Sequence, residues 1–275
     1  MRLYKDFQKR FKLLIEKDKR FIETTLSNIF TMRIIGNKTH GDLAEIGIAE
    51  FINQYMYDFK SVHVGKDLYR AKEHEEDIVI INELNGEKFP LSLKAYGDGP
   101  LQLSTDKKSK MFSFLESFGK KIIKDEKIIA EIFNSENFTD FSNINVLPLI
   151  YNEKEKKCNI MIFDSEKAKI QTAIISKITK GNGRIHPTYV FQDKNKKYIC
   201  EVRYGGTSAN ALQRGLWTNT KRAVLFFDSL TNGWIEYKDN LSLVKLIGLA
   251  LNATYVGHEE ANKILQKDID NLKKT

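Results

Sequence analysis

Cysteine is scarce in this chain: Cys158 and Cys200 are the only two among 275 residues. They form no CxxC pair and have no histidine cluster beside them, which argues against a zinc site and against a disulfide framework. Proline is almost as rare, at four, and no Ser/Gly-rich tract occurs. No flexible linker is therefore marked, and no internal repeat is visible. No run approaches the roughly eighteen apolar residues of a membrane span. The opening Met1-Arg2-Leu3-Tyr4-Lys5 is charged and lacks the apolar stretch of a secretory signal. His40, His186 and His258 lack an HExxH or HNH-like context, so each reads as a turn or capping residue. These absences predict a soluble, cytoplasmic protein, with residues 1–275 forming a single domain.

What the chain does have is positive charge. Lys and Arg number 44 against 36 Asp and Glu, a net charge of +8. Such an excess suits a polyanion, whose counterions are released when phosphates are neutralised. A background usage rich in Lys, Ile and Asn accounts for part of it. Charge alone leaves nucleic acid as one of two readings.

Apolar spacing predicts one or two amphipathic helices over residues 3–32, from Phe7, Phe11, Leu14 and Ile15 and then Phe21, Ile22, Leu26 and Ile29. After a turn at Gly36-Asn37-Lys38, a helix is expected from Leu43 to Met56, with Asp42 as cap and Glu45 completing a capping box. The period then changes. Asp77 opens Ile78-Val79-Ile80-Ile81, a polar turn spans Asn82 to Lys88, and Phe89 to Ala95 returns as the second strand of a hairpin. In that strand Leu91 and Leu93 point one way, Ser92 and Lys94 the other. A long helix is expected from about Ser109 to Phe133. Strands are expected at 146–151, 158–163, 188–192, 198–204, 222–227 and 234–237, with helices at 241–251 and 259–272. Helices before, between and after strands predict an α/β fold with a mixed β-sheet flanked by helices.

The chemistry-bearing pattern is Asp77, fourteen intervening residues, then Ser92-Leu93-Lys94. Hydrolysis of a phosphodiester needs a hard cation at the transferring phosphate, an acidic ligand for it, and a group that orients the attacking water. A carboxylate opening one strand and a lysine on its neighbour supply these within one small site. The backbone carbonyl of Leu93 is a further candidate oxygen ligand. The same residues also fit an exposed strand face with an Asp near a turn. Downstream, Gln102, Ser104, Thr105, Lys107 and Lys108 are phosphate-contact types in a glycine-bearing stretch. A solvated loop leading into a helix is the plainer alternative for that stretch.

The second distinctive stretch runs from Tyr198 to Lys221. A strand enters the Gly205-Gly206 turn, after which Asn210, Gln213 and Arg214 fall at i, i+3 and i+4. Arg pairs bidentately with guanine, and Asn and Gln with adenine, in the major groove. Arg203, Tyr204, Asn210, Gln213 and Arg214 are therefore expected to contact DNA, and Trp217 is expected to pack in the core. The glycines lack the GxGxxG spacing of a dinucleotide site.

The Asp77 and Ser92-Leu93-Lys94 arrangement resembles the core of PD-(D/E)XK nucleases, in which an Asp begins one strand and an acid-x-Lys triplet sits on the next. It is most similar to small type II restriction enzymes, the MspI-like group, and the Arg, Gly-Gly and Asn-x-x-Gln elements extend the likeness. The two segments cover about a quarter of the chain. The resemblance implies a restriction-endonuclease-like core, with catalysis over about 35–135 and DNA recognition over about 180–240. It implies that Asp77 binds Mg2+, that Lys94 organises the attacking water, and that Ser92 stands where the second acid usually is. The family's helical carboxylate maps onto Glu45, which makes Asp77, Leu93 and Glu45 the implied metal set. Glu76 stands where the motif has proline. Ser92 leaves open one metal or two, and Glu45 or Glu83 as the compensating acid. The implied activity is Mg2+-dependent, site-specific cleavage of double-stranded DNA to 5′-phosphate ends, by a monomer or homodimer. Its genetic partner would be a DNA methyltransferase of the same specificity. A structure-directed repair or recombination nuclease, and a non-catalytic DNA-binding protein, are the rival readings.

Overall fold

In α1 (Arg2–Lys17) and α2 (Lys19–Ile35), Phe7, Phe11, Ile15, Ile22 and Leu26 line up at helical spacing and are all buried. The computed structural model describes residues 2–35, 40–63, 77–104, 110–179, 185–210 and 213–252, with a few helical positions between 260 and 271. The expected turn at 36–38 and most of the expected 259–272 helix lie outside the described residues. Helix α3 (His40–Tyr55) buries Ala44, Ile48, Phe51 and Ile52. It begins two residues before the expected cap, so Asp42 falls inside the helix rather than at its N-cap position. A Cβ at Gly47 would lie 2.6 Å from Ile29 Cδ1, so glycine there lets α2 and α3 approach closely.

β1 (Phe59–His63), β2 (Ile78–Asn82) and β3 (Lys88–Gly97) form an antiparallel meander. The β-branched run of β2 suits a pleated, buried surface. Its hairpin closes through Asn82, whose side chain accepts from Leu84 N at 2.9 Å, and through Gly86 at φ 72. The chain then passes β4 (Pro100–Ser104), α4 (Met111–Ser117), β5 (Ile122–Ile123), α5 (Glu126–Asn134) and α6 (Thr139–Ser142) before β6 (Val146–Asn152) returns parallel to β3. β7 (Lys157–Phe163) pairs antiparallel with β6, and β12 (Phe227–Ser229) and β13 (Ile235–Glu236) pair with β7. Together these strands make a mixed seven-stranded sheet, ordered β1-β2-β3-β6-β7-β12 with β13 also on β7.

The expected mixed sheet is present, and the fold adds a second, wholly antiparallel sheet of six strands. After α7 (Ser165–Gln171), strands β8 (Ile174–Ile178), β9 (Thr188–Gln192), β10 (Tyr198–Arg203) and β11 (Gly215–Asn219) form a meander. The earlier β5 closes its β8 side and β4 its β11 side. Helix α8 (Leu241–Asn252) follows the strands. The single helix expected over 109–133 is also corrected. Gly119, at φ 63, ends α4, β5 intervenes, and Asp125 caps α5 by accepting from Lys127 N and Ile128 N. The strand expected at 222–227 is instead a turn, because the Asn219 side chain accepts from Lys221 N and Arg222 N before a 3-10 turn at Val224–Phe226.

Two apolar clusters fill the interior. One joins α1, α2 and α3 to Ile78, Ile80, Leu91, Leu93, Leu147 and Leu149. The other joins α4 and α5 to the second sheet and takes in Val146 and Phe163 from the first. Adjacent residues such as Val146 and Leu147 thus serve opposite faces of one strand. The first sheet lies between both cores. No helix among the described residues is long and apolar enough to cross a membrane.

Candidate active site

The last paired residues at this end of the β2–β3 ladder are Ile78 and Leu91. Beyond them the partner of Leu93 N–H is a side chain rather than a strand carbonyl. Asp77 Oδ2 accepts from Leu93 N at 2.6 Å and from Ser92 Oγ at 2.9 Å. On the opposite edge Ser92 N donates to Asn145 O at 3.0 Å, where β6 begins. Ionised acceptors make the stronger bonds of this kind, so the carboxylate is held firmly where the ladder stops. Lys94 Nζ stands 3.9 Å from the same Oδ2, with side-chain exposures of 33% for Lys94 and 12% for Asp77. That separation is an ion pair without a hydrogen bond, and it leaves the ammonium able to turn toward a ligand.

The alternation of β3 explains the placement. Leu91 and Leu93 are buried in the helix-side core, while Ser92 and Lys94 are partly exposed on the other face. Every contact made to Asp77 by a described residue falls on Oδ2. A strand residue's N–H and C=O leave by the same edge, so the Leu93 carbonyl emerges on the edge that Asp77 occupies. One carboxylate and one carbonyl form a small oxygen set. Magnesium is commonly held this way, by one or two carboxylates with water and substrate phosphate completing its shell. Among the described residues no group of three or more His, Cys, Asp or Glu side chains is placed to hold a metal. The residues present fit a magnesium ion that depends on its substrate for further ligands.

Glu45 and Glu83 separate clearly. Glu83 lies in the hairpin loop, where its N–H donates to Asp58 O at 2.9 Å. Six strand positions from Asp77 amount to about 20 Å, so Glu83 is not part of this site. Glu45 lies one turn before Ala49, whose carbonyl accepts from Ser61 Oγ at 2.8 Å. From there β1 runs back along α3 to His63, the partner of Ile78. One helical turn advances about 6 Å and two strand residues about 7 Å, which brings half-buried Glu45 toward the level of Asp77.

The expected DNA contacts fare unevenly. Thr105, Lys107 and Lys108 lie outside the described residues, as does Glu76. Gln102 is not on a loop: it is 8% exposed in β4, and its Nε2 donates to Arg214 O at 3.4 Å. It links strands and is withdrawn as a phosphate contact. Ser104 ends β4, half-buried, opposite Leu216. Tyr204 folds inward, stacked on His186 with centroids 4.6 Å apart and edge-on to Phe112 at 5.2 Å. A Cβ at Gly206 would fall 2.0 Å from Tyr204 Oη, so that glycine is needed by the fold. Tyr204 is accordingly a packing residue. Asn210 is exposed and Gln213 half-buried. Gln213 N donates to Asn210 O at 3.0 Å, which closes one tight turn, while residues 211–212 lie outside the described residues. Arg214 Nε bonds Asn210 O at 3.3 Å and its Nη2 bonds Ala209 O. Arg203 pairs with Glu201, and Trp217 is 5% exposed in β11.

Sequence reasoning missed Asn145 and Glu201. Asn145 follows no motif. Glu201 had a readable signal, an acid two positions before an arginine on a strand otherwise apolar. Comparison with protein-family models, with curated proteins and with solved structures gives no match. The case for function therefore rests on the site.

Proposed function

We propose that this chain is a magnesium-dependent endonuclease of double-stranded DNA, of the type II restriction kind, built on a restriction-endonuclease-like core. One observation carries the reading. Asp77, at the open end of β2, is locked by Leu93 N–H and Ser92 Oγ of the adjoining strand, with Lys94 3.9 Å away on that strand. A helix precedes the meander and the sheet is mixed, as the resemblance implies. The net charge of +8 supports a polyanionic substrate.

When bound, magnesium supplies positive charge at the scissile phosphate. Asp77 and the Leu93 carbonyl would hold it, with Glu45 as the acid on the neighbouring helix. Ser92 keeps the Asp77 carboxylate in one orientation. Lys94 donates to the attacking water and orients it in line with the leaving 3′ oxygen. The water oxygen bonds to phosphorus and gives up a proton to solvent as the P–O3′ bond breaks and the leaving O3′ takes one from solvent, which leaves a 5′-phosphate and a 3′-hydroxyl. In a restriction role the host DNA would be protected by a methyltransferase of matching specificity.

Supercoiled plasmid incubated with the protein, in magnesium and in EDTA, tests this directly. Discrete magnesium-dependent fragments are expected. Cleavage confined to branched or junction DNA would make it a structure-directed nuclease. Binding with no cleavage of any duplex would leave a DNA-binding protein and overturn the catalytic reading.

A further inference from the structure

Between α1 and the junction of β7 with α7 lies a cavity of about 280 Å³. None of its lining residues belongs to the Asp77–Lys94 site. Its floor is apolar, made by Ile144, Ile162, Phe163 and Leu230, all of them buried. Its walls are charged. Helix α1 contributes Lys5, Lys9 and Lys12, which fall at i, i+4 and i+7 and so share one stripe. The facing wall contributes Asp164, Glu166 and Asp228. A small hollow with an apolar floor and convergent polar groups is the common form of a small-molecule site.

Pairing within the protein decides which charge is left for a ligand. Lys12 Nζ stands 3.2 Å from Asp228 Oδ1, which satisfies both groups and ties α1 to β12. Glu166 is answered by Lys169, whose Nζ lies 3.5 Å from its Oε1 and also donates to Ser142 Oγ. Asp164 keeps its charge but caps α7, accepting from Lys167 N at 2.9 Å. Lys5, Lys9 and the Ser165 hydroxyl make no ion pair or hydrogen bond with a described residue. Two ammonium groups and one hydroxyl therefore remain as donors, set against the Asp164 carboxylate, and the balance is one positive charge. A carboxylate carries a single negative charge at neutral pH, whereas a phosphate monoester carries about 1.5 to 2. The carboxylate is the match. We propose that this cavity binds a small carboxylate with an apolar body. Its head accepts from Lys5, Lys9 and Ser165, and its body rests on Ile162, Phe163 and Leu230. Such binding is independent of DNA cleavage.

Benzoate is the probe, titrated into 15N-labelled full-length protein and followed by amide shifts. Saturable shifts are expected at Tyr4, Ile144, Ser165 and Leu230. Acetate has the head without the body, and benzyl alcohol the body without the charge. Each should bind roughly fivefold more weakly than benzoate or worse. Phenyl phosphate, with nearly two charges, should bind no more tightly than benzoate. Lys5 and Lys9 are exposed and lie outside the proposed active site, so Lys5→Gln and Lys9→Gln should fold normally, as their amide spectra would show. Each should raise the Kd for benzoate roughly fivefold, the upper end of what one exposed ion pair contributes. Lys12→Gln should weaken benzoate as well, because it leaves Asp228 unpaired in the cavity wall. Benzylamine binding more tightly than benzoate would mean that the acids set the preference, and would overturn the assignment. So would phenyl phosphate binding more tightly than benzoate, the absence of saturable shifts at those four amides, shifts confined to the surroundings of Lys94, or an affinity for benzoate unchanged in both Lys5→Gln and Lys9→Gln.

Discussion

Replacing Asp77 by asparagine separates what the residue does for the fold from what it does for a cation. The side-chain oxygen that accepts from Leu93 N at 2.6 Å survives in asparagine, whereas the charge does not. Stability should therefore fall by no more than about 1 kcal/mol, the usual net worth of one hydrogen bond. Asp77→Ala removes the acceptor altogether and strands the Leu93 N–H at the end of the ladder. That should cost about 1–3 kcal/mol, or roughly 2–10 °C in Tm for a chain of this size. Both variants should lose cleavage. A thermal melt across a magnesium series with duplex DNA present gives the second readout. Wild-type Tm should climb with magnesium, since a ligand of the native state stabilises it as its concentration passes Kd, and Asp77→Asn should not respond. Cleavage by Asp77→Asn within a few-fold of wild type would refute the assignment. A loss of stability in Asp77→Asn as large as in Asp77→Ala would refute the hydrogen-bond argument.

Lys94→Met, similar in length but without the ammonium, should abolish cleavage in single-turnover assays while DNA affinity in calcium changes little; retained cleavage would remove Lys94 from the site. Glu45→Gln should depress cleavage far more than the urea midpoint, and equal effects on both would make Glu45 a structural residue only. Gly206→Ala should push Tyr204 off its stack with His186, since a Cβ would meet Tyr204 Oη at 2.0 Å. A cost of about 1–3 kcal/mol is expected from such overpacking, and a neutral change in a thermal melt would show that the loop rearranges freely.

The β2–β3 hairpin was legible in the sequence because its signals are local. The alternation of Leu91, Ser92, Leu93 and Lys94, and the run of Ile78 to Ile81, reappear as β3 and β2, paired antiparallel. The buried stripes of α1 and α2 were equally plain. Reading failed where a segment's structure is decided by distant partners. β4 looked like a loop because Gly97 and Gly99 precede it, yet β11, more than a hundred positions later, pairs with it and Leu101 and Leu103 are buried. The break at Gly119 was hidden by apolar residues continuing at helical spacing on both sides. In the Tyr198 to Lys221 segment the residue types suited base recognition, but composition could not reveal that Arg214 bonds its own loop or that Arg203 answers a buried acid.

The order of strands in the second sheet has a consequence for biosynthesis. Its two border strands, β4 and β5, are made early, whereas the four central strands that receive them span residues 174–219. A nascent chain therefore carries both borders, including apolar Leu101, Leu103 and Ile123, before anything exists for them to pair with. Such waiting strands are what a ribosome-bound chain most readily aggregates through, and chaperones shield them. A ribosome stalled before β11 should thus hold a completed β2–β3 hairpin with β4 still unpaired. The second sheet would close only when Gly215 to Asn219 emerges, so the segment bearing Arg203 would gain its fixed form among the last steps of folding.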